Sequence, residues 1–251
     1  MKILYGVSSV GLGHVRRSVA IARRLRELGS FDIEWVCSEP ALPFLSEQNE
    51  RVLPLAEELK SLSPAMEDNV SGGRLGDMSR VARASSRIAR QNYYSIRTCL
   101  QNYDALIQDE FAETMFCFMW DKNARLPSKR VIITDYLRFE TSSKNPLKRI
   151  VIWYANRMLS GAYKNSGLRI FADDKESIPR KFESMTQYFE IVGSIVDETP
   201  SESREDLKKK LFPNLCGERL ILISVGGTGI GKHLLDFVVS NSKSILDKMP
   251  N

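Results

Sequence analysis

The chain has 251 residues, 43% hydrophobic and 27% charged, a balance that excludes the disordered and fibrous classes. No run approaches the ~18 uninterrupted apolar residues of a membrane-spanning helix, and the opening MKILYGV reads as a strand rather than a secretory leader, so a cytoplasmic setting is expected. The excess of 36 Lys and Arg over 31 Asp and Glu is modest at +5, but it is unevenly placed.

In chain order, a strand at 2–8 runs into a loop holding Gly11, Gly13 and His14. A helix at 15–28 follows, with Val15, Val19, Ala22, Leu25 and Leu28 at helical spacing and Gly29 as its breaker. Strands are predicted at 32–37 and, briefly, at 51–55. Next comes a basic helix in which six arginines (Arg74, Arg80, Arg83, Arg87, Arg90 and Arg97) face one acid, Asp77. Helical pitch gathers the last five of these arginines into one arc, opposite Met78, Val81, Ser85, Ile88, Ile96 and Leu100. Such a face is either a solvated surface or a docking site for an anionic partner, and with no recognition motif beside it nucleic acid is not expected. Strands at 105–108 and 130–134 end at the carboxylates Asp109, Glu110 and Asp135. A helix from Pro146 to about 163 carries Ile150, Trp153, Tyr154 and Met158, a stripe whose expected place is the core, and strands follow at 168–172 and 189–192.

Beyond Gly193 the composition turns to Ser, Pro, Glu and Lys, as in a linker with one short polar helix. A strand at 219–225 then enters a second glycine loop, Gly226, Gly227, Thr228, Gly229, Gly231 and Lys232, and a helix runs from His233 to about 248. The expected fold is α/β, a parallel Rossmann-like sheet flanked by helices. The expected division is a first domain at 1–193, a linker at 194–217 and, at 218–251, the first β-loop-α unit of an incomplete second Rossmann-like domain. One such unit cannot bury both faces of its strand, so it either docks on the first domain or belongs to a domain that continues. Cys37, Cys99, Cys117 and Cys216 form no Cys-x-x-Cys pair, which leaves four reduced, mostly buried thiols as the expectation.

Strand, glycine loop, histidine and helix thus occur twice, each loop at the carboxyl end of a strand, where open α/β sheets place ligands. Glycines let the backbone approach a ligand, and free amides at the next helix N-terminus favour an anion, so either loop suits a phosphate. A dinucleotide fingerprint would need a glycine where the first loop has Arg16. The second loop fits the G-x-x-x-x-G-K of a P-loop nucleotide-binding protein over 226–232, but His233 stands where that motif needs a hydroxyl for magnesium.

A third pattern fits the landmarks in order. Gly11-Leu12-Gly13-His14 with Arg17, then Ile191-Val192-Gly193-Ser194-Ile195-Val196, then Ile223-Ser224-Val225-Gly226-Gly227-Thr228-Gly229 resemble the first loop, the exit from the first domain and the donor-domain loop of GT-B glycosyltransferases. The resemblance is to the family of the bacterial enzyme that adds GlcNAc to lipid I. It implies two facing Rossmann-like domains, with this chain supplying the acceptor domain and the start of the donor domain. It is therefore expected to be a truncated form, or else half of a split enzyme needing a donor-domain partner chain, like the eukaryotic pair that adds the second GlcNAc to dolichol pyrophosphate. A non-catalytic acceptor-binding subunit is the alternative.

The resemblance implies transfer of a hexose such as GlcNAc from a nucleotide diphosphate sugar to an acceptor hydroxyl, on a lipid-linked or glycan acceptor, with no metal and no cofactor. Gly226, Gly227, Thr228 and Gly229 would cradle the donor phosphates, with Lys232 as a charge helper, because helix and loop amides can neutralise a pyrophosphate. His14 is the expected base and Asp109 the carboxylate that orients it, with Gly11, Gly13, Arg17, Glu110 and Asp135 on the acceptor side. The plainer alternatives are a loop-ordering role for His14 and helix capping for the carboxylates. A lipid-linked acceptor would place the chain at the inner face of the membrane, with Arg80, Arg83, Arg87 and Arg90 against anionic lipid and Tyr93, Tyr94, Trp153 and Tyr154 as apolar contacts.

Overall fold

The computed structural model describes residues 1–64, 78–141, 144–196, 202–213, 223 and 232–247. Six strands, β1 (Lys2–Val7), β2 (Asp32–Val36), β3 (Ala105–Asp109), β4 (Lys129–Thr134), β5 (Leu168–Phe171) and β6 (Glu190–Ile191), form one parallel sheet in the order β2-β1-β3-β4-β5-β6. This is a Rossmann-like α/β sheet. Its central strands are apolar on both faces because both are covered: Ile3, Tyr5 and Val7 of β1 point one way and Leu4 the other, and all four are buried.

Under Ile3, Tyr5 and Val7 lie α1 (Gly13–Leu28) and α2 (Ala41–Glu47). Against the opposite face pack α3 (Met78–Ile96), α4 (Ala112–Met115) and α5 (Pro146–Lys164), through Tyr93 and Ile96 of α3, Met115 of α4 and Leu159 of α5. The crossover leaving β1 runs to β2 on one side, while that leaving β3 runs to β4 on the other. Loops after these two neighbouring strands therefore diverge and leave a crevice at their carboxyl ends. In register, Val7 pairs with Asp109 and Asp109 with Ile133, so three strands end level at this crevice.

Gly6 of β1 faces the Phe111 ring, and a Cβ there would stand 2.4 Å from Phe111 Cδ1, so this close approach requires glycine. Beside it, Glu113 of α4 is fully buried and accepts a hydrogen bond from Asn92 Nδ2 of α3 at 2.9 Å, while the same Asn92 holds the main chain of Lys60. Burial pushes the Glu113 carboxyl from its ordinary 4.5 up to about 7, against the opposing Asn92 bond.

Several expectations need correction. The strand at 51–55 is a single parallel bridge, Val52 to Trp35, followed by a 3-10 turn at Pro54–Glu58, since Pro54 has no N–H to extend a ladder. Ile150, Trp153 and Tyr154 are not core residues: each is more than half exposed on α5, which meets the core through Leu159, Ala162 and Tyr163 instead. Tyr93 is no surface aromatic but buried, its hydroxyl donating to Asp121 Oδ2 at 2.9 Å.

On α3, Arg83, Arg87 and Arg90 are exposed as expected; Arg74, and the side chains of Met78, Arg80 and Val81, lie outside the described residues. Cys37 and Cys117 are buried and Cys99 is half-buried, all free, and Cys216 is likewise outside the described residues. Two further helices, α6 (Arg204–Leu211) and α7 (Lys232–Asp247), follow the sheet in sequence. The expected strand at 219–225 is described only at Ile223, and Gly226, Gly227, Thr228, Gly229 and Gly231 lie outside the described residues, as do the side chains of Lys232 and His233. Among the described residues no helix is long and apolar enough to cross a membrane.

Candidate active site

The first turns of α1 present His14, Arg17 and Ser18 on one face, at the three- and four-residue spacing of neighbouring helical positions. All three converge on Asp109, the fully buried last residue of β3. Arg17 grips this carboxylate with two nitrogens, Nε to Oδ2 at 2.7 Å and Nη2 to Oδ1 at 2.5 Å, and Ser18 Oγ donates to Oδ2 at 2.8 Å. His14 Nδ1 lies 3.0 Å from Oδ1. Burial alone would raise the Asp109 pKa, but the hydrogen bonds and charges of Arg17 and His14 outweigh it and hold the group below the ordinary carboxylate value.

Arg17 Nη2 also lies 2.9 Å from His14 Nδ1, so two partners meet that nitrogen; with the proton on Nδ1 the imidazole donates to Asp109 and Nε2 is the basic nitrogen. Burial lowers the His14 pKa, while the Asp109 hydrogen bond and the charges of Asp109 and Glu110 raise it by more, so the imidazole ends above its ordinary value. Glu110 sits at φ +49°, a left-handed conformation uncommon outside glycine. That turn brings Oε1 onto Thr134 Oγ1 and the Asp135 N–H, both at 3.0 Å, and Oε2 to 3.5 Å from His14 Nε2. Burial pushes the Glu110 carboxyl up to about 7; His14 opposes this and Asp135 adds to it. Arg17 also reaches Asp135 Oδ2 at 3.0 Å, so one guanidinium ties the ends of β3 and β4 together.

The cluster opens into a cleft of about 400 Å³ lined by Gly11, Gly13, His14, Arg17, Asp135 and Ser194 among others. Gly11 has φ +76°, which glycine adopts freely, and a Cβ at Gly13 would meet nothing within 4 Å. No side chain caps the N-terminus of α1, so its amides remain for a ligand or water. His14, Glu110 and Asp135 offer ligand atoms within 4.8 Å of one another. Arg17 already supplies positive charge there, 3.0 Å from Asp135 and 3.9 Å from Glu110, which disfavours a divalent ion among these groups.

Of the residues singled out in the sequence, His14, Asp109, Arg17, Glu110, Asp135, Gly11 and Gly13 therefore meet at one place. The donor loop falls outside the described residues. Two participants were missed, Ser18 and Thr134. Ser18 had a signal, standing one helical turn after His14; Thr134 had only its position before Asp135.

No family model and no curated protein matches the chain. Solved structures do. MurG of Acinetobacter baumannii aligns at TM-score 0.39 and 10% identity, over 71% of this chain and 42% of that one. A UDP-glucosyltransferase of Polygonum tinctorium, capable of glucosylating indoxyl, aligns at TM-score 0.48 and 13% identity, over 82% and 55%. A Listeria monocytogenes protein assigned as a UDP-N-acetylglucosamine 2-epimerase aligns at TM-score 0.41 and 10% identity, over 76% and 43%. The chain thus spans about half the length of the solved structures it matches.

Proposed function

We propose that the chain is the acceptor-side part, residues 1–193, and the beginning of the donor side of a glycosyltransferase that moves a hexose, GlcNAc first among the candidates, from a nucleotide diphosphate sugar to an acceptor hydroxyl. The observation that carries the proposal is the His14–Asp109 pair, 3.0 Å apart, at the crevice where the parallel sheet reverses its connections. An acceptor hydroxyl in the cleft would give its proton to His14 Nε2 as its oxygen bonds to the sugar C1. The bond from C1 to the donor phosphate breaks, and the nucleoside diphosphate leaves with that electron pair. Asp109 orients the imidazole and stabilises the imidazolium that forms. Gly226, Gly227, Thr228 and Gly229 are assigned to the leaving pyrophosphate on the strength of the sequence alone.

The test is nucleoside diphosphate release from a panel of nucleotide sugars, with lipid-linked and free glycan acceptors. It is run on the chain alone, on the chain extended in frame by downstream coding sequence, and on His14→Ala in each. Expected is acceptor-dependent release that His14→Ala lowers by about 10²- to 10⁴-fold, the usual worth of a positioned general base. Since His14 and Glu110 both hold protons above their ordinary values, activity should climb with pH until both have let go. Acceptor binding without release in either form, restored by no donor-domain chain, would leave the acceptor-binding subunit as the correct reading. Unchanged release by His14→Ala would remove the base assignment.

A further inference from the structure

The sheet face beneath α4 and α5 holds polar residues where a covered parallel sheet ordinarily has apolar ones. In register, Leu106 pairs with Arg130 and Gln108 with Ile132, and alternation puts all four on this face. Gln108 is only 2% exposed, and the Nε of Arg130 is buried. Burying such groups is costly unless each donor finds an acceptor. Here two do not. Gln108 Oε1 accepts from Thr114 Oγ1 at 2.7 Å, but its Nε2 donates to nothing among the described residues, and the Arg130 Nε has no partner either.

Both side chains line one cavity of about 180 Å³, set between β3, β4, the turn at Cys117–Met119 and the end of α5. Burial pushes the Cys117 thiol up to about 11 while the charge of Arg130 opposes the rise, which places the guanidinium near Cys117, another wall of the cavity. Lys122 stands in the same lining and makes no ion pair among the described residues. Asp121, the one carboxylate of that lining, has both oxygens engaged: Oδ2 accepts from the Tyr93 hydroxyl at 2.9 Å and Oδ1 from the Asn123 N–H at 3.0 Å. Positive charge and unused N–H donors therefore face a space left by the surrounding chain.

We propose that this cavity binds one small oxyanion, a phosphate or a short carboxylate, with Arg130 Nε and Gln108 Nε2 donating to its oxygens and the exposed Lys122 facing its charge at the mouth. Its volume corresponds to about six waters at ~30 Å³ each, enough for a phosphate and too little for a nucleoside diphosphate. Gln108 and Asp109 are consecutive in β3 and point to opposite faces, so this cavity and the cleft at His14 lie on opposite sides of the sheet. The site is thus separate from the transfer reaction. It is tested with neither donor nor acceptor present, so either reading can fail without the other.

The experiment is thermal unfolding and calorimetric titration of the full chain with sodium phosphate or sodium acetate, against sodium chloride at matched ionic strength. Expected is a melting temperature raised above the chloride value by one anion or both, with saturation at a single site. An effect of phosphate alone identifies a tetrahedral ligand, and of acetate alone a carboxylate. Arg130→Leu should weaken that binding about 10-fold or more, through the loss of a charge-assisted hydrogen bond. Lys122→Gln, an exchange at the exposed mouth that the fold tolerates, should weaken it about threefold. No stabilisation beyond chloride would overturn the proposal, the cavity then holding water only. So would stabilisation that never saturates, that survives both Arg130→Leu and Lys122→Gln, or that is lost only in His14→Ala, since the anion would then sit in the cleft.

Discussion

Glu113 gives the sharpest quantitative test of the buried electrostatics. Its carboxyl is held at about 7 in the folded protein against an ordinary 4.5, because burial disfavours the charged form. Between those two values the folded chain keeps a proton that the unfolded chain has lost, so this group's contribution to stability falls as pH rises from about 4.5 to 7 and stays lost above it. At 1.36 kcal/mol per unit, the loss is about 3 kcal/mol. Glu113→Gln keeps the shape and the acceptor for Asn92 but cannot ionise. The variant should therefore match the parent near pH 4.5 and exceed it by about 3 kcal/mol at pH 8, a urea midpoint higher by about 1 to 2 M. Glu110 contributes a fall of the same sign in both proteins, so the difference between the two stability curves isolates Glu113. Parallel curves from pH 5 to 8 would refute the reasoning, by showing that water or rearrangement solvates this carboxylate.

Gly6→Ala should cost about 1–3 kcal/mol in urea unfolding, since the new methyl overlaps Phe111 Cδ1 at 2.4 Å and the strand cannot retreat from both neighbours. Arg17→Leu removes the partner of a fully buried carboxylate, and a loss of about 3–5 kcal/mol is expected. Asp109→Asn with Arg17→Leu should recover part of that loss, and a double variant no better than Arg17→Leu alone would count against the charge argument.

The sheet was readable because its strands are short β-branched or apolar runs punctuated by glycine and polar turns, and because parallel strands covered on both faces leave little alternation to misread. The carboxylates at the ends of β3 and β4 were readable for a related reason, since the polar residue that stops an apolar run marks the sheet edge. What pattern could not supply was direction. On α5 the stripe of Ile150, Trp153 and Tyr154 and the stripe of Leu159, Ala162 and Tyr163 are both apolar, and only packing against Ile132 and Phe171 of the sheet decides which is covered. Nor does any local pattern announce that Glu110 takes a left-handed turn, or that Arg17 divides its donors between residues 92 and 118 positions away.

That span has a bearing on when the cluster exists at all. The carboxylates that Arg17 and His14 share come from β3 and β4, so apart from the contact of Arg17 Nη2 with His14 Nδ1 within α1, at 2.9 Å, the links around His14 are non-local. A nascent or partly opened chain would carry the imidazole without its neighbours, as an ordinary solvated histidine. The geometry of the cleft is thus a property of the finished sheet.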